Sequence, residues 1–335
     1  MKHILKNKTI LITGGTGFLG RSLIREILKY KPKSIRIFSR DEFKHQKVHE
    51  EFGFRFSGGI LRHLIGDVRD YERLNRAMKG CDIIIHAAAL KRIDMLEYNV
   101  QEAIKTNVFG TLNVVRAALE NNVEKAIFIS TDKSCSPINT YGACKFVGER
   151  IFTESNYNKG FARTLFICVR YGNVINSTGS VIPFFIDKIQ KGENIPLTNE
   201  RMTRFLITDK QAVDLVFNAI KFGGGGEIFV PKAPSFKMVD LIQYLKERFS
   251  GNNKIKIMGI RPGEKIDELM VNEVEVPRTY EFGNMFIIMS QIKKYQDFKP
   301  IYLKKLKKVN FTEYSSKDNL LKGENLKNYF DKINL

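Results

Sequence analysis

Ser130-Thr131-Asp132-Lys133, with Tyr141 and Lys145 close behind, gather hydroxyls, a carboxyl, two amines and a phenol in one short stretch. The preceding run, Ala126-Ile127-Phe128-Ile129, has the unbroken apolar character of a buried parallel strand. The polar cluster therefore falls at the strand's carboxyl end, which in an open parallel sheet faces the ligand crevice. Tyr141 and Lys145 are four residues apart, which stacks them on one helix face. A cation that close favours the phenolate, so Tyr141 can take or return a hydroxyl proton while a hydride moves. Taken alone, the Tyr-x3-Lys pair also fits an ordinary helix surface, and Asp132-Lys133 a surface ion pair.

The hydride carrier is announced at the amino terminus. Thr9-Ile10-Leu11-Ile12 is a β-branched run, and Gly14-Gly15-Thr16-Gly17-Phe18-Leu19-Gly20 opens an amphipathic stretch reaching to about Lys29. Glycine permits the sharp turn from strand to helix and lets backbone N–H groups approach a pyrophosphate. A strand before and a helix after this pattern mark a βαβ dinucleotide site built on Gly14, Thr16, Gly17, Phe18, Leu19 and Gly20. A second strand, Ser34-Ile35-Arg36-Ile37-Phe38, ends in Ser39-Arg40-Asp41, with Lys44 nearby. A cation there accommodates a 2′-phosphate and an acid grips a ribose hydroxyl. Ser39, Arg40 and Lys44 favour NADP, while Asp41 keeps NAD open. Asp67 and Val68 close a third strand, where they can hold the adenine edge. Ile83-Ile84-Ile85-His86 is a fourth, ending in small residues from Ala87 that let a cofactor come close.

These elements imply an α/β fold, a Rossmann-type doubly wound parallel sheet with a smaller C-terminal substrate lobe. Residues 1–175 read as the NADP-binding domain. Residues 176–290 read mainly as the substrate lobe, with some chain returning to the first domain, because glycine and proline punctuate short elements there. Residues 97–121 and 141–157 carry long helical patterns, and Leu165-Phe166-Ile167-Cys168-Val169 is a further strand. The Lys- and Asn-rich segment 291–335 reads as a peripheral C-terminal segment.

The 335 residues suffice for a full core, and neither a bilayer-spanning run nor a secretory pattern occurs. Four cysteines without C-x-x-C spacing and five scattered histidines imply no metal site and a reducing, cytoplasmic setting. The formal charge of +19 invites a nucleic-acid partner, but the lysines are spread along the chain beside acids and form no basic arm. Such a field also suits an acidic substrate such as a nucleotide sugar.

The glycine pattern and Tyr-x3-Lys, in this order, resemble the extended short-chain dehydrogenase/reductase superfamily. A closer resemblance rests on Gly-Asp-Val-Arg-Asp at 66–70, Ala-Ala-Ala-Leu-Lys at 87–91, Ser-Thr-Asp-Lys at 130–133 and Pro137-x-Asn139-x-Tyr141-Gly-Ala-Cys-Lys145. Val169-Arg-Tyr-Gly-Asn-Val174, Gly179-Ser-Val-Ile-Pro-Phe-Phe185, Arg201-Met-Thr-Arg-Phe205, Gly226-Glu-Ile-Phe-Val-Pro-Lys232 and Gly259-Ile-Arg-Pro-Gly-Glu-Lys265 extend it. Together they look like the inverting UDP-N-acetylglucosamine 4,6-dehydratases that open pseudaminic acid biosynthesis. The likeness covers about residues 8–290, with a weaker echo at Glu313-Tyr-Ser-Ser. Other sugar 4,6-dehydratases have Thr-Asp-Glu where this chain has Thr131-Asp132-Lys133, and Cys144 replaces the family's usual Thr.

The resemblance implies oxidation of the sugar at carbon 4, loss of water across carbons 5 and 6, hydride return to carbon 6 and inversion at carbon 5. Tyr141, with Lys145, would take the 4-hydroxyl proton. Lys133, if held neutral, would take the carbon-5 proton, and Asp132, if protonated, would release the 6-hydroxyl as water. Thr131 would orient the substrate and Lys91 would bridge cofactor and sugar. Asn173, Arg204, Arg261 and Glu264 match substrate positions, arginine forks suiting pyrophosphate. A homo-oligomer without nucleic-acid or membrane partners is expected. A UDP-sugar 4-epimerase or a retaining dehydratase remains an alternative, whereas an idle dinucleotide sensor would need no Tyr-x3-Lys pair.

Overall fold

The computed structural model describes residues 1–175, 177, 180–292 and 306–333. Gly179 of the motif at 179–185, and most of the segment leading from 291 to 305, lie outside the described residues. Six strands begin the sheet: β1 (Thr9–Thr13), β2 (Ser34–Ser39), β3 (Leu61–Ile65), β4 (Ile83–His86), β5 (Lys125–Ile129) and β6 (Leu165–Val169). In space they run β3-β2-β1-β4-β5-β6, all pairs parallel. β1 and β4 are buried throughout, as continuous Ile and Leu runs require when helices cover both faces. The winding direction reverses between β1 and β4, which opens a crevice at their carboxyl ends.

The sheet is ten-stranded because the later chain comes back to it. Ile228–Pro231 adds a parallel strand beside β6, and Met285–Ile288, Thr279–Phe282 and Lys307–Lys308 follow antiparallel. A second core gathers Ile182, Phe185, Leu197, Leu206, Phe236 and Leu245 between the intervening elements. The expectation of a peripheral C-terminal segment needs correction. Tyr314–Ser315 pairs with Leu269–Val271, Ser316 is buried, and Phe330 on helix Gly323–Lys332 is buried in the second core. Lysine-rich composition concealed this, since the inward-facing residues are few and widely spaced.

Residues 97–121 are not one uniform helix. Val100–Ala103 leads into a π-helical stretch, Ile104–Phe109, before α-helix Gly110–Glu120. Such wide turns re-aim side chains and recur at functional sites. Here Asn107 is turned onto the loop after β4, accepting from Leu90 N and donating to Leu90 O, both at 2.8 Å. A buried relay fastens the same loop: Ala88 N donates to Thr13 Oγ1 at 3.3 Å, and Thr13 Oγ1 lies 2.7 Å from His86 Nδ1. His86 Nε2 lies 3.1 Å from Thr111 Oγ1, which donates to Asn107 O at 2.7 Å. Thr111 therefore accepts from Nε2–H, which fixes the neutral tautomer, and burial pushes this imidazole down to about 3.

Candidate active site

The described residues fit a dinucleotide at the β1–β4 crevice. Gly14 has φ +68°, and a Cβ there would lie 2.8 Å from Ala88 N, so only glycine turns the chain here. A Cβ on Gly20 would meet Gly15 O at 2.3 Å, which shows how tightly strand and helix are joined. Gly17 caps helix Phe18–Leu28 without a side-chain bond, leaving the first-turn N–H groups of Phe18 and Leu19 to an anion. Thr16 Oγ1 donates to Ser39 Oγ at 2.8 Å, tying the cradle to the tip of β2. Asp41 is engaged otherwise: it caps helix Glu42–Phe52 by accepting from Lys44 N at 3.0 Å and pairs with Lys44 Nζ at 3.1 Å. Asp67 accepts from Arg69 at 2.7 Å and from Arg40 at 3.3 Å, so its carboxylate is held by two guanidiniums. Val68 is buried against Gly110, and Ala87 N donates to Thr13 O at 3.1 Å.

The polar cluster stands where β5 ends. Thr131 Oγ1 donates to Asp132 Oδ1 at 2.8 Å, and Lys133 Nζ donates to the same oxygen at 3.0 Å. Lys133 Nζ also lies 3.4 Å from Asn173 Oδ1 and 3.4 Å from Glu268 Oε1. Asp132 is fully buried, and its Oδ2 has no hydrogen-bond partner among the described residues. Burial first, then the neighbouring Glu268 carboxylate, raises the Asp132 carboxyl above the ordinary range, against the pull of Lys133. Oδ1 already accepts two bonds, so the proton of the neutral acid belongs on Oδ2.

The base role requires a neutral Lys133, whereas its surroundings favour the ammonium. Burial opposes its ammonium, but Asp132 and Glu268 outweigh that penalty and raise its pKa. Lys145 is buried at the same strand end. Its Nζ donates to Ile129 O at 2.7 Å and sits 4.5 Å above the Phe128 ring, and burial brings it down to about 8. Half-buried Tyr141 is pushed up to about 12 by loss of water; the cation drawing it back is Lys133, with a bond from Thr131 assisting. Loss of water, then Lys133, lowers Lys91.

Asn173 reaches Lys133, and Glu264 accepts from Thr198 Oγ1 at 2.9 Å, with the largely exposed Arg261 4.0 Å away. Arg204 departs from the open pyrophosphate fork. It is buried, donates to the carbonyls of Thr203, Ile266 and Lys265 at 2.7–3.0 Å, and lies 3.8 Å from Glu268. Those carbonyls come from a chain crossing that one-dimensional spacing does not reveal.

Three contributors escaped the sequence reading. Glu268 is a buried carboxylate beside Lys133, but no motif singles it out. Asn139 stood inside a quoted motif without a role; it caps the Tyr141 helix and binds the loop carrying Arg261. Gly172 leaves room for Asp132: a Cβ there would lie 3.2 Å from Asp132 Oδ2 and 2.8 Å from Phe205 Cβ.

Over residues 10–290 the sequence matches the family described as polysaccharide biosynthesis protein. A UDP-N-acetylglucosamine 4,6-dehydratase (inverting) of Campylobacter jejuni is 45% identical over 292 residues, covering 87% of this chain and 85% of the relative. A UDP-glucose 4-epimerase of Rickettsia bellii is 41% identical over 286 residues, covering 84% and 83%. The crystal structure of Pen from Bacillus thuringiensis superposes with a TM-score of 0.90 at 39% identity, covering 98% of this chain and 99% of that one. A family match across most of the chain, on this sheet and this crevice, makes the chain a member of the polysaccharide biosynthesis protein family, built on the extended short-chain dehydrogenase/reductase fold.

Proposed function

We propose that this protein dehydrates UDP-N-acetylglucosamine to a UDP-4-keto-6-deoxy-N-acetyl sugar, inverting carbon 5. The observation that carries the reading is buried Asp132 paired with part-buried Lys133, 3.0 Å apart, at the same strand end as Tyr141. The similarity to the Campylobacter dehydratase supports it.

When bound, the nicotinamide would accept hydride from carbon 4 and return it to carbon 6, and a proton would return to carbon 5 from the face opposite to the one it left, inverting that carbon. Tyr141 receives the 4-hydroxyl proton, a transfer that Lys133 eases by stabilising the phenolate. The 4-ketone acidifies the carbon-5 proton. Lys133 Nζ donates to Asp132 Oδ1, so the charge of each group bears on the other. Lys133 must first give up its ammonium proton; it then takes the carbon-5 proton, and protonated Asp132 gives its own to the leaving 6-hydroxyl. Thr131 holds Asp132 in place, and Asn173 holds Lys133. Gly14, Thr16, Gly17, Phe18, Leu19 and Gly20, with Asp67, Val68, Ala87 and Lys91, would hold the cofactor. Arg261 and Glu264 would hold the nucleotide.

NADP is the proposed cofactor. Asp41 already caps a helix and pairs with Lys44, so Ser39 and Arg40 are left to meet the 2′ substituent. The proposed setting is a cytoplasm, with a homo-oligomer feeding pseudaminic acid biosynthesis; all four cysteines are buried free thiols, and no helix among the described residues is long and apolar enough to cross a membrane.

A second reading has its own support, because the Rickettsia relative is named a UDP-glucose 4-epimerase. An epimerase needs Tyr141 but has no step for a buried acid and amine. Incubation with UDP-N-acetylglucosamine in deuterated water, read by NMR, decides between them. A 6-deoxy-4-keto product with deuterium and inverted configuration at carbon 5 is expected. A 4-epimer, with no water lost, would overturn the dehydratase reading.

A further inference from the structure

The Asp132–Lys133 pair has a third member that no motif announces. Glu268 precedes strand Leu269–Val271, which packs against the turn Asp132–Ser134. Its side chain is 3% exposed, and Oε1 lies 3.4 Å from Lys133 Nζ and 3.8 Å from Arg204 Nε. Its other oxygen, Oε2, is buried without a hydrogen-bond partner among the described residues. A buried carboxylate left half unpaired is costly, so a fold that keeps one needs its charge at that place.

The backbone under Glu268 is clamped from the C-terminal segment. Glu268 N donates to Ser316 Oγ, and Ser316 N donates to Glu268 O, both at 2.9 Å. Ser316 Oγ also lies 2.6 Å from Thr203 Oγ1, one residue before Arg204. The carboxylate and the guanidinium beside it are thus aligned by one serine.

We propose that Glu268 is a positioning residue for the Asp132–Lys133 pair: its carboxylate anchors the Lys133 ammonium and sets how many protons the pair holds. The charged and titratable groups around it are Lys133 and Asp132 on the turn after β5, Arg204 on strand Thr203–Ile207, and Lys265 on its own loop. Tyr141 and Lys91 face Lys133 in turn. Burial works against ionised Glu268, but Lys133, Arg204 and Lys265 hold its pKa down, so the negative charge resides there. That charge raises both Asp132 and Lys133. The proton lost by the pair before elimination leaves to solvent, and Glu268 keeps its charge throughout. Ordinary dehydration then requires the one-proton state of the pair, whose pH window Glu268 places.

The inference rests on the dehydratase reading, and the wild-type product settles that reading by itself. Given dehydration by the wild type, Glu268→Gln removes the charge at constant shape. Both limbs of its pH–rate profile should move to lower pH by about one unit or more, because losing a nearby negative charge lowers both groups. Turnover at the wild-type optimum should fall at least about tenfold, with KM for UDP-N-acetylglucosamine little changed. In NMR titration of lysine-labelled protein, the Lys133 signal, identified by its loss in Lys133→Ala, should titrate lower in Glu268→Gln. A profile and Lys133 titration that match the wild type would overturn the proposal, as would a rise in KM alone. If Glu268→Gln does not fold, Glu268→Asp decides. It keeps the charge but shortens the reach, so turnover should fall while the limbs stay near their wild-type pH; unchanged turnover or displaced limbs would overturn the assignment.

Discussion

The side-chain amide of Asn139 donates to the carbonyl of Gly263 at 2.8 Å while its oxygen accepts from Gly142 N at 2.7 Å. One residue therefore caps the helix that carries Tyr141 and Lys145 and also fastens the loop that carries Arg261 and Glu264. Gly263 has φ +81°, and a Cβ there would lie 3.0 Å from Asn139 Cβ, so the approach depends on glycine. The helix carrying Tyr141 and the loop carrying Arg261 are thereby held in one geometry.

Asn139→Ala removes both bonds. Losing the helix cap should lower stability by about 1 kcal/mol. Releasing the loop should raise KM for the UDP-sugar more than it lowers kcat. Steady-state kinetics beside thermal melting would check this; an unchanged KM would show that the loop is placed without Asn139.

Local signals were legible where period and glycine chemistry coincide. Ile83-Ile84-Ile85 could only be a strand covered on both faces, and Gly14, Gly17 and Gly20 fixed the turn and helix of the dinucleotide cradle. What was not legible depends on distant chain crossings. Glu268 is separated from Lys133 by more than a hundred residues, and a lone carboxylate in a loop carries no periodic signal. Ser316 and Phe330 lie in lysine-rich sequence whose inward-facing residues are too sparse for a pattern. Side-chain commitments are hidden as well: Asp41 leaves a ribose contact open until its capping bond to Lys44 N is visible, and Arg204 reads as an open fork until its carbonyl partners are.

Burial of Lys145 gives stability a pH dependence of calculable sign. Its pKa is about 8 in the folded protein and 10.5 ordinarily, so between those values the unfolded chain holds more protons. Stability from this group therefore rises with pH across that window and is lowest below it. Lys145→Met removes the titration. The unfolding free energy of wild type minus variant should increase by about 2 kcal/mol between pH 7.5 and 9.5, read by urea denaturation. A difference independent of pH would mean that Lys145 is solvated in the folded state.

Arg40 lies at the tip of β2 with its guanidinium 3.3 Å from Asp67 and about half its side chain exposed. Arg40→Ala should weaken NADP binding by about tenfold or more and NAD binding little, since only the former offers a phosphate to the guanidinium. Calorimetric titration with both nucleotides checks this. Equal losses would assign Arg40 to the placement of Asp67 instead.

Tyr141, Asp132 and Lys133 divide the reaction into steps that can be stalled separately. Tyr141→Phe cannot accept the 4-hydroxyl proton, so turnover should fall by about two to four orders of magnitude while UDP-sugar binding persists. No reduced nicotinamide should appear in that variant. Asp132→Asn keeps Tyr141 but has no proton to give the leaving hydroxyl, so carbon 4 is oxidised and water is not expelled. Reduced nicotinamide absorbance should then rise on substrate addition and remain. Lys133→Ala should stall in the same way, and solvent deuterium should no longer enter carbon 5. The charged state of Lys133 sharpens this test, because a lysine that must first shed a proton should exchange carbon 5 faster as pH rises through the pair's first titration. Exchange that survives in Lys133→Ala would assign the base to another group. Full activity in both Asp132→Asn and Lys133→Ala would leave Tyr141 as the sole proton carrier, which is the chemistry of a 4-epimerase.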